Sequence, residues 1–136
     1  MATISTFLKG QASQVSKALG GYAFWIENKL DFSETNVSAS DVVQALKLGP
    51  GAVVLRFLTE VVTAEGGTAT ANIGDGNDAD GYDATVDFNA TGLVVGDGAL
   101  VGGTKYAAAD TIDIVPANDL DAAVVRVMAE VIYPEL

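Results

Sequence analysis

The chain has 136 residues, enough for one domain with a real core, and it contains neither cysteine nor histidine. Without cysteine there is no disulfide framework or thiolate metal site, and without histidine the commonest general base and zinc ligand are missing. A net charge of −11 argues against nucleic acid as a partner, because such a body repels phosphate backbones.

The charge is uneven. Over residues 1–30, three lysines against Glu27 leave +2; over the remainder, four cations against 17 acids leave −13. Residues 1–20 are read as an N-terminal arm and 21–136 as the body. Within the arm the spacings Ile4/Phe7/Leu8 and Val15/Leu19 suit one face of a helix, and Gly20-Gly21 would end it. The arm is expected to be extended or partly helical and to order against a partner. It lacks a continuous apolar run, and the most apolar stretch, Ala52 to Leu58, is far too short to span a bilayer, so no membrane is expected as a partner.

Strand signals follow in order. Tyr22 to Leu30 alternates, with Tyr22, Phe24 and Ile26 on one side and Ala23, Trp25 and Glu27 on the other. Trp25 and Tyr22 are read first as core residues, with an anchoring role in a subunit contact as the alternative. Ser40 to Leu48 fits a helix or a strand; the strand is preferred because Gly49-Pro50-Gly51 makes a tight corner into the next one. Ala52 to Ala64 is the strongest strand, with Val53, Leu55, Phe57, Thr59 and Val61 expected on one face and Val54, Arg56, Leu58, Glu60 and Val62 on the other. Shorter strands are expected over Thr68–Ile73 and Ala84–Phe88.

Thr91 to Gly103 is glycine-rich without clear period and reads as a long loop that lies across a neighbour. Lys105 to Val115 holds a strand with Ile112 and Ile114 inward and Asp110 and Asp113 facing solvent. Ala122 to Tyr133 is a clean final strand, inward at Ala123, Val125, Val127, Ala129, Val131 and Tyr133. Seven or eight strands at this spacing predict an all-β fold, a jelly-roll-like antiparallel β-sandwich.

Between two of these strands lies Ile73-Gly-Asp-Gly-Asn-Asp-Ala-Asp-Gly-Tyr-Asp83. Asp75, Asn77, Asp78 and Asp80 offer hard oxygen ligands of the kind calcium accepts. Against a calcium site, Ala79 breaks the EF-hand pattern and no glutamate closes the loop. The alternative is a turn in which these side chains bond their own backbone. No other cofactor is expected. Acids are numerous enough to suggest a carboxylate pair anywhere, but no Walker-type lysine or sugar platform accompanies them, and the chain is read as a non-enzyme.

Several segments together resemble a family of small tailed-bacteriophage virion proteins. They are Leu30-Asp-Phe-Ser-Glu-Thr-Asn-Val-Ser-Ala-Ser-Asp-Val-Val43, Leu48-Gly-Pro-Gly-Ala52, Thr63-Ala-Glu-Gly66, the acidic run 73–83, and Tyr106-Ala-Ala-Ala-Asp-Thr-Ile-Asp113. The resemblance spans about residues 28–133. It implies a virion structural protein of the capsid decoration or cement type, made in the host cytoplasm and placed on the capsid exterior. The implied partners are the major capsid protein and copies of itself, with a trimer favoured. It brings no catalytic residues. Contacts are then expected from Phe7, Leu8, Lys9 and Lys17 of the arm, from Trp25, and from Leu93 and Val95 of the glycine-rich stretch. A tail, fibre or glycan-binding host-recognition module is the competing reading, and a calcium-dependent carbohydrate-binding or hydrolytic domain is a third.

Overall fold

The computed structural model describes residues 1–8 and 22–134. Among the described residues nine strands form two sheets: β1 (Thr3–Ile4), β2 (Phe24–Asp31), β3 (Val42–Leu48), β4 (Val53–Thr63), β5 (Thr70–Gly74), β6 (Asp83–Asp87), β7 (Gly92–Val95), β8 (Asp110–Pro116) and β9 (Val124–Ile132). One sheet runs β1-β3-β8-β5-β6 and the other β2-β9-β4-β7. Setting β1 aside, the antiparallel pairs are nested: β2 with β9, β3 with β8, β4 with β7, and β5 with β6. Pairs β4–β9 and β5–β8 then join these ribbons side by side. That nesting is a long hairpin rolled into two four-stranded sheets, which is the jelly roll. The expected all-β, jelly-roll-like sandwich is the fold.

The core lies between the sheets. Val125, Val127, Ala129 and Val131 of β9 and Val54, Phe57 and Val61 of β4 are buried against Val43, Leu46, Leu48, Ile112 and Ile114 of the facing sheet. Phe32 stacks near Phe88 at 6.5 Å, and Phe57 meets Tyr82 at 5.4 Å. Full burial of such side chains contributes about 1.5–3 kcal/mol each, and they are the main source of cohesion.

Where strict alternation fails, a bulge is responsible. In β4 the register steps from Val54↔Val131 to Arg56↔Glu130, so Leu55 is an extra residue. One inserted residue exchanges the two faces. Val54 is therefore core, while Val53 and Leu55, expected on the Phe57 face, are only half-buried. A second slip at Val62 and one at Ala45 of β3 act in the same way; the latter brings Val43, Ala45, Leu46 and Leu48 all inward.

The glycine-rich stretch is not one loop. Gly92–Val95 adds to β4 as an edge strand, and Gly96 N–H donates to Phe57 O at 2.7 Å. The glycines that follow allow close backbone crossing: a Cβ on Gly98 would lie 2.2 Å from Gly81 O.

The described part of the expected arm lies on the body. β1 pairs in parallel with β3, and Thr6–Leu8 is a single 3₁₀ turn where the apolar spacing suggested a helix. The Phe7 ring meets Phe32 edge-on at 5.3 Å, and Asn28 Nδ2 donates to Phe7 O at 2.7 Å and to Ala45 O at 2.9 Å. Lys9, Lys17, Val15 and Leu19 lie outside the described residues.

One strained backbone position gives a simple test. Thr85 has φ of +54°, in a region β-branched residues avoid, because the β5–β6 register slips between Ala71↔Val86 and Ile73↔Asp83. Its side chain is exposed. Thr85→Asn, which tolerates that conformation, is expected to raise stability by about 0.5–1 kcal/mol in urea unfolding. A loss of stability would show that the strain is not relieved by asparagine.

Candidate functional site: an exposed sheet face and its free edge

The outer face of β2-β9-β4-β7 carries rows of side chains set by the cross-strand register. Trp25, Glu130 and Arg56 form one row; Glu27, Met128, Leu58 and Val95 the next; Lys29, Arg126, Glu60 and Leu93 a third. In the first row Arg56 Nε donates to Glu130 Oε1 at 2.8 Å and Nη2 to Oε2 at 3.2 Å. The Arg56 guanidinium also lies over the Trp25 ring, 5.4 Å from its centroid. The hydrogen bonds and charge of Arg56 hold the Glu130 carboxyl below its ordinary range. In the third row Arg126 pairs with Glu60.

Trp25 is 46 % exposed and Tyr22 75 % exposed, so neither is a core residue. The first expectation fails for Trp25 because it points to the outer face of β2, an edge strand that no other described strand covers, and for Tyr22 because it precedes β2. Trp25 instead presents an apolar ring beside the Arg56–Glu130 ion pair. At the opposite edge every residue of β7 is exposed, Leu93 at 60 % and Val95 at 65 %. Leu93, Val95 and Trp25 thus share one sheet face, while Phe7 is spent on packing within the chain and Leu8 is half-buried beside it.

The acidic loop between β5 and β6 turns much of its chemistry inward. Asp75 is buried: its Oδ1 accepts from the backbone N–H of Asn77 and of Asp78, both at 2.8 Å, and its Oδ2 accepts from Tyr106 Oη at 2.7 Å. Tyr106 and Tyr82 share a second hydrogen bond at 2.6 Å. Burial raises both phenols, so each stays protonated. Asn77 is exposed, and Asp78 is raised by a hydrogen bond with Asp80. Among the described residues no group of three or more acidic side chains is arranged to hold a metal ion.

Asp41, Asp83 and Asp113 are buried as well. Asp113, expected to face solvent, is 6 % exposed, and burial, against the hydrogen bond that Thr111 Oγ1 donates to its Oδ1 at 2.6 Å, pushes it up to about 6. Asp83 is buried with no hydrogen-bond partner for Oδ2 among the described residues, and burial followed by the charge of Asp97 raises it. Asp113 sits between the inward Ile112 and Ile114 and so lies on the outer face of its sheet; the alternation marks only the core face and gives no sign that an outward residue will be covered.

Comparison with known proteins decides what this architecture resembles. No family model matches the sequence, and no curated protein matches it. Among solved structures, 98 % of this chain superposes on 99 % of a chain in the capsid of Ralstonia phage GP4, with a TM-score of 0.77 at 15 % identity. It shares the fold of phage capsid chains. A chain of the cyanophage Pam1 capsid asymmetric unit matches with a TM-score of 0.67 at 18 % identity, covering 93 % of this chain and 95 % of that one. A chain in the acid-stable capsid of Helicobacter pylori bacteriophage KHP30 matches at 0.63 and 12 % identity, over 85 % and 91 %. At these identities the likeness is one of backbone path. The side chains of the exposed face belong to this chain and must be interpreted from their own chemistry.

Proposed function

We propose that this chain is a non-enzymatic structural component of a phage particle, a capsid decoration protein that braces major capsid subunits from the outside of the shell. The observation that carries the reading is the end-to-end match of its fold with a chain in a phage capsid. The resemblance in the sequence favours the same role and adds grouping in threes.

The mechanism is surface burial. Aromatic and arginine side chains held in position before contact are the residues that concentrate binding energy, since little freedom is lost when they dock. Trp25, with the Arg56 guanidinium over its ring and Arg56 itself bonded to Glu130, meets that description. The charge of −11 keeps free copies apart and soluble until a docking surface offsets the repulsion.

Mixing the purified chain with shells that lack it is expected to give saturable binding and a higher shell rupture temperature. Trp25→Ala is expected to weaken that binding about 10-fold or more while leaving the melting curve of the free protein unchanged, because the ring is outside the core. Absence of binding to shells, or binding to tails or to cell-surface glycan instead, would replace this reading with the host-recognition one.

A further inference from the structure

We propose that β7 is a self-pairing edge through which two copies of this chain join, β7 to β7 in antiparallel register, continuing one four-stranded sheet into the other. The inference goes beyond the proposed grouping in threes, because it names a separate, two-fold contact between copies. It is tested without any capsid, so its failure is separable from failure of the shell-binding reading.

The backbone supplies the first argument. Gly96 N–H points to Phe57 O, and the register continues Leu58↔Val95, Thr59↔Val94, Glu60↔Leu93. Antiparallel pairing alternates inward and outward backbone groups. The N–H and C=O of Leu93 and Val95 therefore point away from β4, along an edge that no other described strand pairs with. The same two residues carry exposed aliphatic side chains, so backbone and side-chain recognition coincide.

The second argument is missing protection. Folded proteins blunt open edges with lysine, proline, inward charge or a covering segment. Gly92-Leu-Val-Val95 has no charge and no proline, and all four residues are exposed. The other free edge of this sheet, β2, carries Glu27, Lys29 and Asp31.

The third argument identifies the occupant. Two copies with a charge of −11 each repel wherever acids meet. β7 is the strand of this sheet without a charged residue. A two-fold register centred on Val94 sets Leu93 against Val95 of the second copy and Val95 against Leu93. Both are hydrogen-bonding positions, which gives four new backbone bonds. Extended one step in each direction it sets Gly92 against Gly96, and one step further Thr91 against Asp97, so no carboxylate faces a carboxylate. The edge is complementary to itself, as a two-fold contact requires. Four residues a side bury less than the roughly 1,000 Å² expected of a stable interface, so the contact is weak and depends on local concentration.

The full chain is to be followed by sedimentation equilibrium over a wide concentration range beside two variants. Val95→Pro removes one outward N–H and leaves the bonds to β4, and Leu93→Lys places charges opposite the apolar partner position. Circular dichroism and melting check that both are folded. The expected result is a parent whose average mass rises with concentration to twice that of either variant. A parent mass matched by both variants at every concentration, whether monomer or trimer, would overturn the proposal; if the proline variant misfolds, the lysine variant decides.

Discussion

Asp75→Ala is expected to lower the unfolding free energy by roughly 3–5 kcal/mol, enough to move the melting point by about 10–20 °C. The carboxylate is buried and accepts three hydrogen bonds, two from the turn backbone and one from Tyr106. Truncation takes a charged acceptor from two part-buried backbone N–H groups, and a hydrogen bond to a charged group is worth about 1.5–3 kcal/mol. It also frees Tyr106, whose hydroxyl then has only Tyr82. Asp75→Asn is the informative companion. Its carbonyl oxygen can still accept both backbone bonds, and its amide can donate to Tyr106 if that hydroxyl turns toward Tyr82. The asparagine variant should therefore lose less than half as much. Urea unfolding of the three proteins checks this, and equal losses for the two substitutions would mean that charge, rather than acceptor geometry, matters at this position.

Asp113→Asn should do the opposite and stabilise the protein at neutral pH. Burial lifts this carboxyl to about 6 in the folded chain, from an ordinary value of 3.8. The folded state therefore holds a proton that the unfolded state has released across that interval. Stability from this group is fully present below about pH 4 and is lost as pH rises through about 6. At pH 7 the ionised, buried carboxylate costs on the order of 2–3 kcal/mol. An uncharged asparagine can keep the Thr111 hydrogen bond without that penalty. Asp41, held low first by the Ser38 backbone N–H and then by that of Ala2, and Glu130, held low by Arg56, slope the other way. The parent profile alone is thus ambiguous, and the measurement is the difference between variant and parent from pH 4 to pH 8. It should grow toward pH 7 and then level off. A difference that does not change with pH would remove Asp113 as the titrating group.

The sequence was most readable where a strand has one wet face and one dry face. β9 alternates without interruption, and every inward residue expected of it is buried. β4 was readable as a strand but not in its faces, since Leu55 and Val62 each insert a residue and no residue type signals a bulge there. β7 was invisible because its side chains are exposed on both sides and a strand of four residues shows no period. Its apolar residues nevertheless stood out as lacking a place in the core, which is why Leu93 and Val95 were expected at a contact. Trp25 misleads for the reverse reason: a large aromatic ring signals burial, but here it points to the outer face of an edge strand and is 46 % exposed. Asp75 combined two meanings. Its spacing to Asn77 and Asp78 suggested an ion, and in the fold the same spacing lets one carboxylate close a turn while reaching Tyr106, thirty-one positions away.

The rolled-hairpin topology has a kinetic consequence. β9 lies between β2 and β4, so neither has its full set of backbone partners until β9 arrives. During translation β2 through β8 emerge as a chain whose central seat in that sheet is vacant, and the uncharged β7 is exposed throughout. Refolding should accordingly be governed by long-range closure and run in milliseconds to seconds. A nascent chain stopped before Val124 should remain vulnerable to protease, and one extended past Ile132 should resist it.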